Sequence, residues 1–348
     1  MNSIDKLFLL DAYALIYRAY YAFIKNPRIN SKGFNTSAIL GFVNTLEEVL
    51  KKENPTHIGV AFDPSGPTFR HEAYEQYKAQ REETPEAIRL SVPIIKDIIR
   101  AYRIPILEVS GYEADDVIGT LATEAGRQGI TTYMMTPDKD YGQLVSDRVF
   151  MYRPKHTGGF EVMGTEEVKT KFNIQTTEQV IDMLGLMGDA SDNIPGCPGV
   201  GEKTAQKLIA EFGSIENLLE HTDQLKGALK TKVETNREMI TFSKFLATIK
   251  QMFPFSSTWI RSSAKNRTKK NSARFSRSWN SAHSSTGYSK REAAIRPPLL
   301  QPLRYPTSLP GLCLPSRKPP LPKTAPRFKA ICLQILRARG RAFLKIQT

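Results

Sequence analysis

Short unbroken apolar runs alternate with helix-spaced apolar residues along the first 250 positions. Leu7-Phe8-Leu9-Leu10 is such a run, the pattern of a strand buried on both faces. It predicts a strand over residues 6–10, ended by Asp11. Residues 57–62 repeat the pattern and Asp63 ends it. Residues 104–109 and 130–135 supply a third and a fourth strand, the last leading into Thr136-Pro137-Asp138-Lys139-Asp140. Between them, residues 12–23, 36–51, 91–102 and 117–128 carry apolar positions at helical spacing, as with Ile39, Leu40, Val43, Leu46 and Leu50. This alternation predicts an α/β fold, a mainly parallel central sheet with helices on both faces. Residues 165–186 then read as two short helices. Residues 188–205 read as helix, glycine hairpin, helix, and Gly213 ends the second helix. Short helices run to about residue 250, so the second part is all-α. Beyond it the periodicity is lost.

One segment resists this reading. Residues 70–89 interleave Arg70, Lys78, Arg81 and Arg89 with Tyr74 and Tyr77, and their apolar content is too thin for a core helix. They read either as a solvated helix or mobile loop, or as a basic, aromatic flap over an acidic cleft that would hold nucleic-acid backbone.

The chemistry gathers at Gly111-Tyr112-Glu113-Ala114-Asp115-Asp116-Val117-Ile118-Gly119. Acidic residues suit a helix first turn, where exposed N–H groups and the dipole attract negative charge. Glu113 and Asp116, three apart, share a face. Alone, the cluster reads equally as a solvated acidic cap. But Asp11, Asp63, Asp138, Asp140, Asp189 and Asp192 also follow apolar segments, as residues at strand ends and helix starts do. Carboxylates collected from such ends into one cleft make an all-oxygen site suited to Mg²⁺ or Mn²⁺. Asp138 and Asp140, at i and i+2 on an extended stretch, would point the same way. Arg18 lies among Tyr13, Tyr17, Tyr20 and Tyr21, which could stack bases or simply pack.

Gly199-Val200-Gly201 can bring backbone N–H groups close to a phosphate, with Lys203, Thr204 and Lys207 on the following helix. That is a sequence-independent grip on duplex backbone. The stretch is not a Walker loop, because Glu202 separates Gly201 from Lys203 and no strand precedes it.

Charge sharpens the division. The chain has 348 residues and a formal net charge of +14. Residues 251–348 hold 20 Lys+Arg against the single acid Glu292, a net of +19; residues 1–250 hold the remaining 29 against 34, a net of −5. Cys197, Cys313 and Cys332 are widely spaced, which argues against a disulfide scaffold or a zinc site and fits a reducing compartment. Asp5, Lys6, Asp11 and Arg18 interrupt the apolar N-terminus, against a signal peptide or membrane span. A cytoplasmic protein is expected.

Residues 1 to about 250 resemble the 5′-nuclease domain of bacterial DNA polymerase I, in the flap-endonuclease superfamily. The matching residues are Phe8-Leu9-Leu10-Asp11 with Tyr17-Arg18-Ala19-Tyr20, Ala61-Phe62-Asp63 with Thr68-Phe69-Arg70-His71, Tyr77-Lys78-Ala79-Gln80-Arg81, residues 111–116, Asp138-Lys139-Asp140 and residues 188–205. The resemblance implies a PIN-like catalytic domain over residues 1–172 with a helical arch near 70–90, then a helix-hairpin-helix subdomain over 173–250. It implies a two-metal hydrolase acting on 5′ flaps, nicked or gapped duplex and RNA primers, a monomer associated with the nucleoid. One metal would lean on Asp11, Asp63, Glu113, Asp115 and Asp116, the other on Asp138, Asp140, Asp189 and Asp192. Lys78 and Arg81 would steer the scissile phosphate, with Arg18 and Arg70 nearby and Tyr77 among the DNA contacts. A K⁺ ion would sit between hairpin carbonyls and phosphate. Two other readings stand beside it, a DNA-binding module using only the hairpin and an inactive fragment. The resemblance stops near Lys250. The tail holds 11 of the 22 prolines and reads as a disordered basic arm or as a translated wrong frame, since residues 274–284 can be re-read, from the third base of each codon, as a family-like string.

Overall fold

The computed structural model describes residues 5–155 and 159–251. The expectations for the tail lie outside the described residues.

β1 (Lys6–Asp11) leads into α1 (Ala12–Ala22), α2 (Ser37–Lys52) and β2 (His57–Ala61). α3 (Phe69–Ala73), α4 (Glu86–Ala101), β3 (Ile106–Leu107), α5 (Ala114–Arg127) and β4 (Thr131–Met135) follow, then a 3-10 turn (Lys139–Leu144), β5 (Val149–Pro154) and β6 (Phe160–Met163). The remaining described chain is helical: α6 (Thr165–Phe172), α7 (Gln179–Met187), α8 (Glu202–Phe212), α9 (Ile215–Glu220), α10 (Gly227–Thr235) and α11 (Arg237–Ala247), with a 3-10 turn at Thr222–Gln224.

The strands form one sheet in the order β3-β2-β1-β4-β5-β6, parallel except for β6 against β5. The chain builds outward from β1 to β3 on one side, then starts again at β4 on the other. The strand order therefore reverses between β1 and β4, and open α/β sheets form a crevice outside the strand ends at that point. Asp11 sits there.

β1 explains why its run is unbroken. Leu7 and Leu9 join the core with Val117, Ile118 and Leu121 of α5. Phe8, pointing the other way, stacks on Tyr133 of β4 at 4.8 Å, and Tyr133 stacks on Phe150 of β5 at 5.7 Å. All four residues from Leu7 to Leu10 are fully buried, which requires cover on both faces.

A second core joins Met183, Leu186, Val200, Leu208, Ile215 and Ile240. The apolar helix α7 serves both cores, giving Val180 and Leu184 to the first and Met183 and Leu186 to the second.

Several local expectations shift. β3 keeps only two residues; Pro105 just before it has no N–H for a ladder. Asp138 and Asp140 are not on an extended stretch. Asp138 caps the 3-10 turn by accepting from the Asp140 N–H at 3.0 Å, the turn-forming habit of aspartate. The run Val149-Phe150-Met151-Tyr152 is β5, a strand the periodicity reading left out. The segment at 70–89 is mostly exposed but anchored, with Arg70, Tyr77 and Ile88 buried, and α4 already begins at Glu86.

Candidate functional site

Strand ends and one helix start deliver the first carboxylates. Asp11 ends β1 and caps α1, accepting from the Ala14 N–H at 3.1 Å. Its other oxygen accepts from Thr136 Oγ1 at 3.2 Å and Tyr141 OH at 3.4 Å. Burial, then the Asp63 carboxylate, and further along Asp138, push Asp11 up to about 7. Asp63 accepts from the Ala114 N–H at 2.7 Å and is also raised, by burial above all. Glu113 caps α5 and Asp116 accepts the Glu113 N–H at 3.0 Å, as the spacing of three requires. Both are buried, so the cluster is not a solvated cap.

Arg70 offsets this negative charge from below. Its guanidinium donates to Asp116 through Nη1 at 2.8 Å and Nη2 at 2.9 Å, and to Glu113 at 3.3 Å. A planar fork matches a carboxylate bidentately, and only such pairing makes a buried charge tolerable. Asp116 also accepts from the Lys250 N–H at 2.8 Å, so its oxygens are engaged within the protein. Asp115 lies 4.0 Å from Arg70 and is pushed well up, by burial first and then by Asp116 and Glu113 against the pull of Arg70.

The second set lies on the 3-10 turn and the loop after α7. Asp189 accepts from Ser191 N–H at 2.7 Å and Oγ at 2.5 Å and pairs with Lys139 at 2.8 Å. Burial alone would raise Asp189; these bonds outweigh it and hold the carboxyl below its usual value. Gly188 (φ +71°) and Gly196 (φ +62°) close that loop back to back, where a Cβ on either would strike the other strand's backbone. Asp140 is pushed well up by burial, then by Asp138 and Asp189. Its Oδ1 is buried with no hydrogen-bond partner.

Tyr77 and Lys78 join the two sets. Tyr77 OH lies 3.0 Å from a Glu113 oxygen and 2.9 Å from an Asp192 oxygen, and its single proton serves one of them at a time. Lys78, at φ +57°, places Nζ 2.8 Å from Glu113 and 3.5 Å from Asp192. Arg81 pairs with Asp192 at 2.5 Å. Arg18 stands apart, donating to the Lys155 carbonyl at 2.9 Å.

The donor chemistry fits hard divalent cations: oxygen only, like charges raised by one another, and one buried carboxylate oxygen without a partner. Among the described residues no three carboxylates converge closely enough to hold an ion as they stand. Lys78 bridges Glu113 and Asp192, Arg81 pairs with Asp192 and Lys139 with Asp189, so these oxygens are engaged by cationic side chains.

Gly199, Val200 and Gly201 lie in the loop between α7 and α8, and Lys203, Thr204 and Lys207 on α8 itself. Val200 is buried in the second core, while Gly199, Gly201, Lys203 and Lys207 are exposed and Thr204 is partly so. Gly199 has φ +75°, and a Cβ there would meet Lys232 Nζ at 2.5 Å. Gly201 is extended at φ −98° with open space around it, so its fold does not demand glycine. Thr136, Lys139, Tyr141, Gln143 and Ser191 escaped the sequence reading. Thr136 and Lys139 sit beside the Asp138 pair and were legible by adjacency; Tyr141 and Gln143 carried no local signal.

Residues 6–173 match the 5'-3' exonuclease N-terminal resolvase-like domain, and residues 175–270 match the 5'-3' exonuclease C-terminal SAM fold. The chain is 44% identical over 252 residues to DNA polymerase I of Bacillus subtilis (strain 168), covering 72% of this chain and 28% of that one. It thus spans under a third of that relative's length. A 5'-3' exonuclease of Aquifex aeolicus is 40% identical over 220 residues, covering 63% of this chain and 74% of that one. Among solved structures, 5'-exonuclease of bacteriophage T5 with divalent metal ions (zinc) bound matches with a TM-score of 0.60 at 22% identity, over 70% of this chain and 90% of that one. That likeness establishes a shared fold. With both halves of the family pattern matched in order, the chain belongs to the 5′-3′ exonuclease family.

Proposed function

We propose that this chain is a structure-specific 5′-3′ exonuclease and flap endonuclease. It would hydrolyse phosphodiester bonds in 5′ flaps, nicked or gapped DNA and RNA primers, in primer removal and repair, as a monomer. The observation that carries the reading is Glu113 at the start of α5 and Asp192 after α7, far apart in the chain, brought onto the same side chains, Tyr77 and Lys78, with Arg81 on Asp192. A pure binding module would not turn that much negative charge toward a polyanion. The names of the relatives support it: an exonuclease in one, and in another a bacteriophage T5 flap endonuclease complex with DNA and metal ions.

Asp11, Asp63, Glu113, Asp115 and Asp116 would serve one Mg²⁺ or Mn²⁺, and Asp138, Asp140, Asp189 and Asp192 a second. Bound there, two such cations supply an activated water and charge stabilisation at the leaving oxygen. Lys78 and Arg81 bind and orient the scissile phosphate when they leave Glu113 and Asp192. Tyr77 keeps Glu113 and Asp192 in register, its one proton lying between the two carboxylates. Asp116 reaches the cations mainly by fixing Arg70 and the start of α5. Residues 173–250 would form the duplex-binding subdomain, with Gly199–Lys207 on the backbone and K⁺ at its carbonyls, and residues 1–172 the catalytic one.

The test is cleavage of a labelled 5′-flap substrate by the purified chain. Cleavage with Mg²⁺ or Mn²⁺ and none in EDTA is expected. Undiminished cleavage in EDTA would overturn the mechanism.

A further inference from the structure

The backbone at the end of α11 and just after it bonds Arg70 and Asp116 of the first set on one side and Gln143, on the 3-10 turn that carries Asp140, on the other. Thr248 is extended, at φ −76° and ψ 119°, so successive backbone groups face opposite sides. On one side Arg70 Nε donates to the Leu246 carbonyl at 2.9 Å and Nη2 to the Thr248 carbonyl at 2.8 Å, while the Lys250 N–H donates to Asp116 at 2.8 Å. On the other side Gln143 takes both intervening groups. Its Nε2 donates to the Ala247 carbonyl at 3.0 Å and its Oε1 accepts from the Ile249 N–H at 2.8 Å.

Gln143 is 5% exposed and belongs to the same 3-10 turn as Asp140, the turn that Asp138 caps. Arg70 and Asp116 underlie the other set. One extended run therefore connects the base of the first carboxylate set to the turn bearing the second. Its own position is fixed by packing: Ile249 is buried and lies where a Cβ on Gly119 of α5 would be 2.8 Å from its Cγ2. Lys250 Nζ sits 4.1 Å over the Phe69 ring beside Arg70.

We infer that residues 246–250 act as a spacer that fixes the separation of the two carboxylate sets, and that Gln143 is a positioning residue for the reaction. The inference rests on the two-cation reading above. A carboxamide suits the role because it donates and accepts at once, copying the pairing of a neighbouring strand. Without those two bonds the turn carrying Asp138 and Asp140 loses its link to Arg70 and Asp116. The cost would fall on cation binding and turnover, not on the grip on duplex DNA, which lies elsewhere.

The experiment uses the full chain, wild type and Gln143→Leu, which nearly keeps the volume and removes both bonds. Mn²⁺ binding without DNA is counted by electron paramagnetic resonance of the free ion. The wild type should bind two Mn²⁺. Gln143→Leu should weaken one of them by about tenfold or more, the scale of losing a group that orients a ligand. In flap cleavage its kcat should fall by a similar factor with KM within about threefold, the mark of lost transition-state organisation. Ile215→Ala, in the second core, controls for lower stability and should keep both Mn²⁺ affinities at a matched loss of Tm. If Gln143→Leu does not fold, Gln143→Glu, which retains the acceptor for Ile249, takes its place with the same expectation. Unchanged Mn²⁺ affinities in the folded variant would overturn the spacer. A wild type that fails to bind two Mn²⁺ would instead overturn the two-cation reading, and the spacer with it.

Discussion

The carboxylate cleft and the glycine hairpin are built on opposite principles. The cleft is buried and assembled from afar: Arg70 meets Asp116 across 46 positions, Gln143 meets Ala247 across 104, and Tyr77 meets Asp192 across 115. The hairpin is exposed and local, with the Val200 N–H donating to Cys197 and the Thr204 N–H to Gly201. In the cleft each charge depends on another charge for its existence inside the protein. In the hairpin the lysines are in water and the backbone alone sets the shape. Changes in the cleft should therefore be strongly coupled, and changes in the hairpin nearly independent.

The largest expected effect tests the coupling directly. Asp116→Ala takes the bidentate partner from the Arg70 guanidinium, which is 1% exposed and keeps only the longer contact to Glu113 among carboxylates within hydrogen-bond reach. Removing one partner of such a pair costs about 3–5 kcal/mol. Urea unfolding should show that loss, and flap cleavage should collapse with it. Lys207→Ala in the hairpin should unfold within about 0.5 kcal/mol of wild type. An unaltered urea midpoint for Asp116→Ala would erase the contrast.

The next effect concerns pH in the absence of metal. Asp11 titrates at about 7 in the folded chain, against an ordinary value of 3.8 once unfolded. Between those values the folded state holds the extra proton. Stability should fall as pH rises through that window, by roughly 4 kcal/mol at most. Asp63, Asp115 and Asp140, also raised, push the same way. In EDTA the urea midpoint should drop from pH 5 to pH 8, and Mg²⁺ at pH 8 should restore part of it. A midpoint that climbs with pH in EDTA would mean the buried acids do not carry this burden.

Within the hairpin the two glycines should separate. Gly199→Ala must adopt φ +75° against Lys232 and should cost about 1–3 kcal/mol. Gly201→Ala, in open extended backbone, should leave stability alone yet weaken duplex binding equally for all sequences, since phosphate contacts carry no sequence information. Equal stability losses at both positions, or a sequence-selective binding loss at Gly201, would contradict this.

The smallest effect is an exposed counterpart to Arg70–Asp116. Glu216 pairs with Lys244 at 2.8 Å. Burial works against the charged carboxylate, but the Lys244 hydrogen bond outweighs it and lowers the value from 4.5. That contribution is complete above pH 4.5 and disappears as pH falls through the lowered folded value. Because Glu216 is largely exposed, it should be worth no more than about 1 kcal/mol. Glu216→Gln should differ from wild type at pH 7 and match it near pH 3; a gap that persists in acid would point to packing.

The strand ends show what was readable in advance. Asp11 and Asp63 could be placed because a buried parallel strand must be apolar until it leaves the sheet, and its first polar residue marks the crevice. Glu113 and Asp116 could be placed because a helix start favours acids at a spacing of three. Asp138 and Asp140 were located but misjudged in shape, since a 3-10 turn and a strand end look alike over three residues. For residues 70–89 the charge left two readings open, and the sequence could not choose between solvent and cleft because the partners of Arg70, Lys78 and Arg81 lie 35 or more positions away.

By itself, then, the sequence determined the α/β class, the first four strands with the helices between them and the positions of the acids along the chain, because these follow from periodicities and spacings within one segment, while the family was legible from motifs ordered along the whole of residues 1–250. Only the tertiary structure decided which cation faces which acid, that Arg70 is buried against Asp116, that Tyr77 lies between Glu113 and Asp192, and that the backbone at 246–250 bonds Arg70, Asp116 and Gln143. Those pairings join residues far apart in the chain, and no local period encodes them. They arise because each buried charge must find a partner wherever the topology brings one within reach.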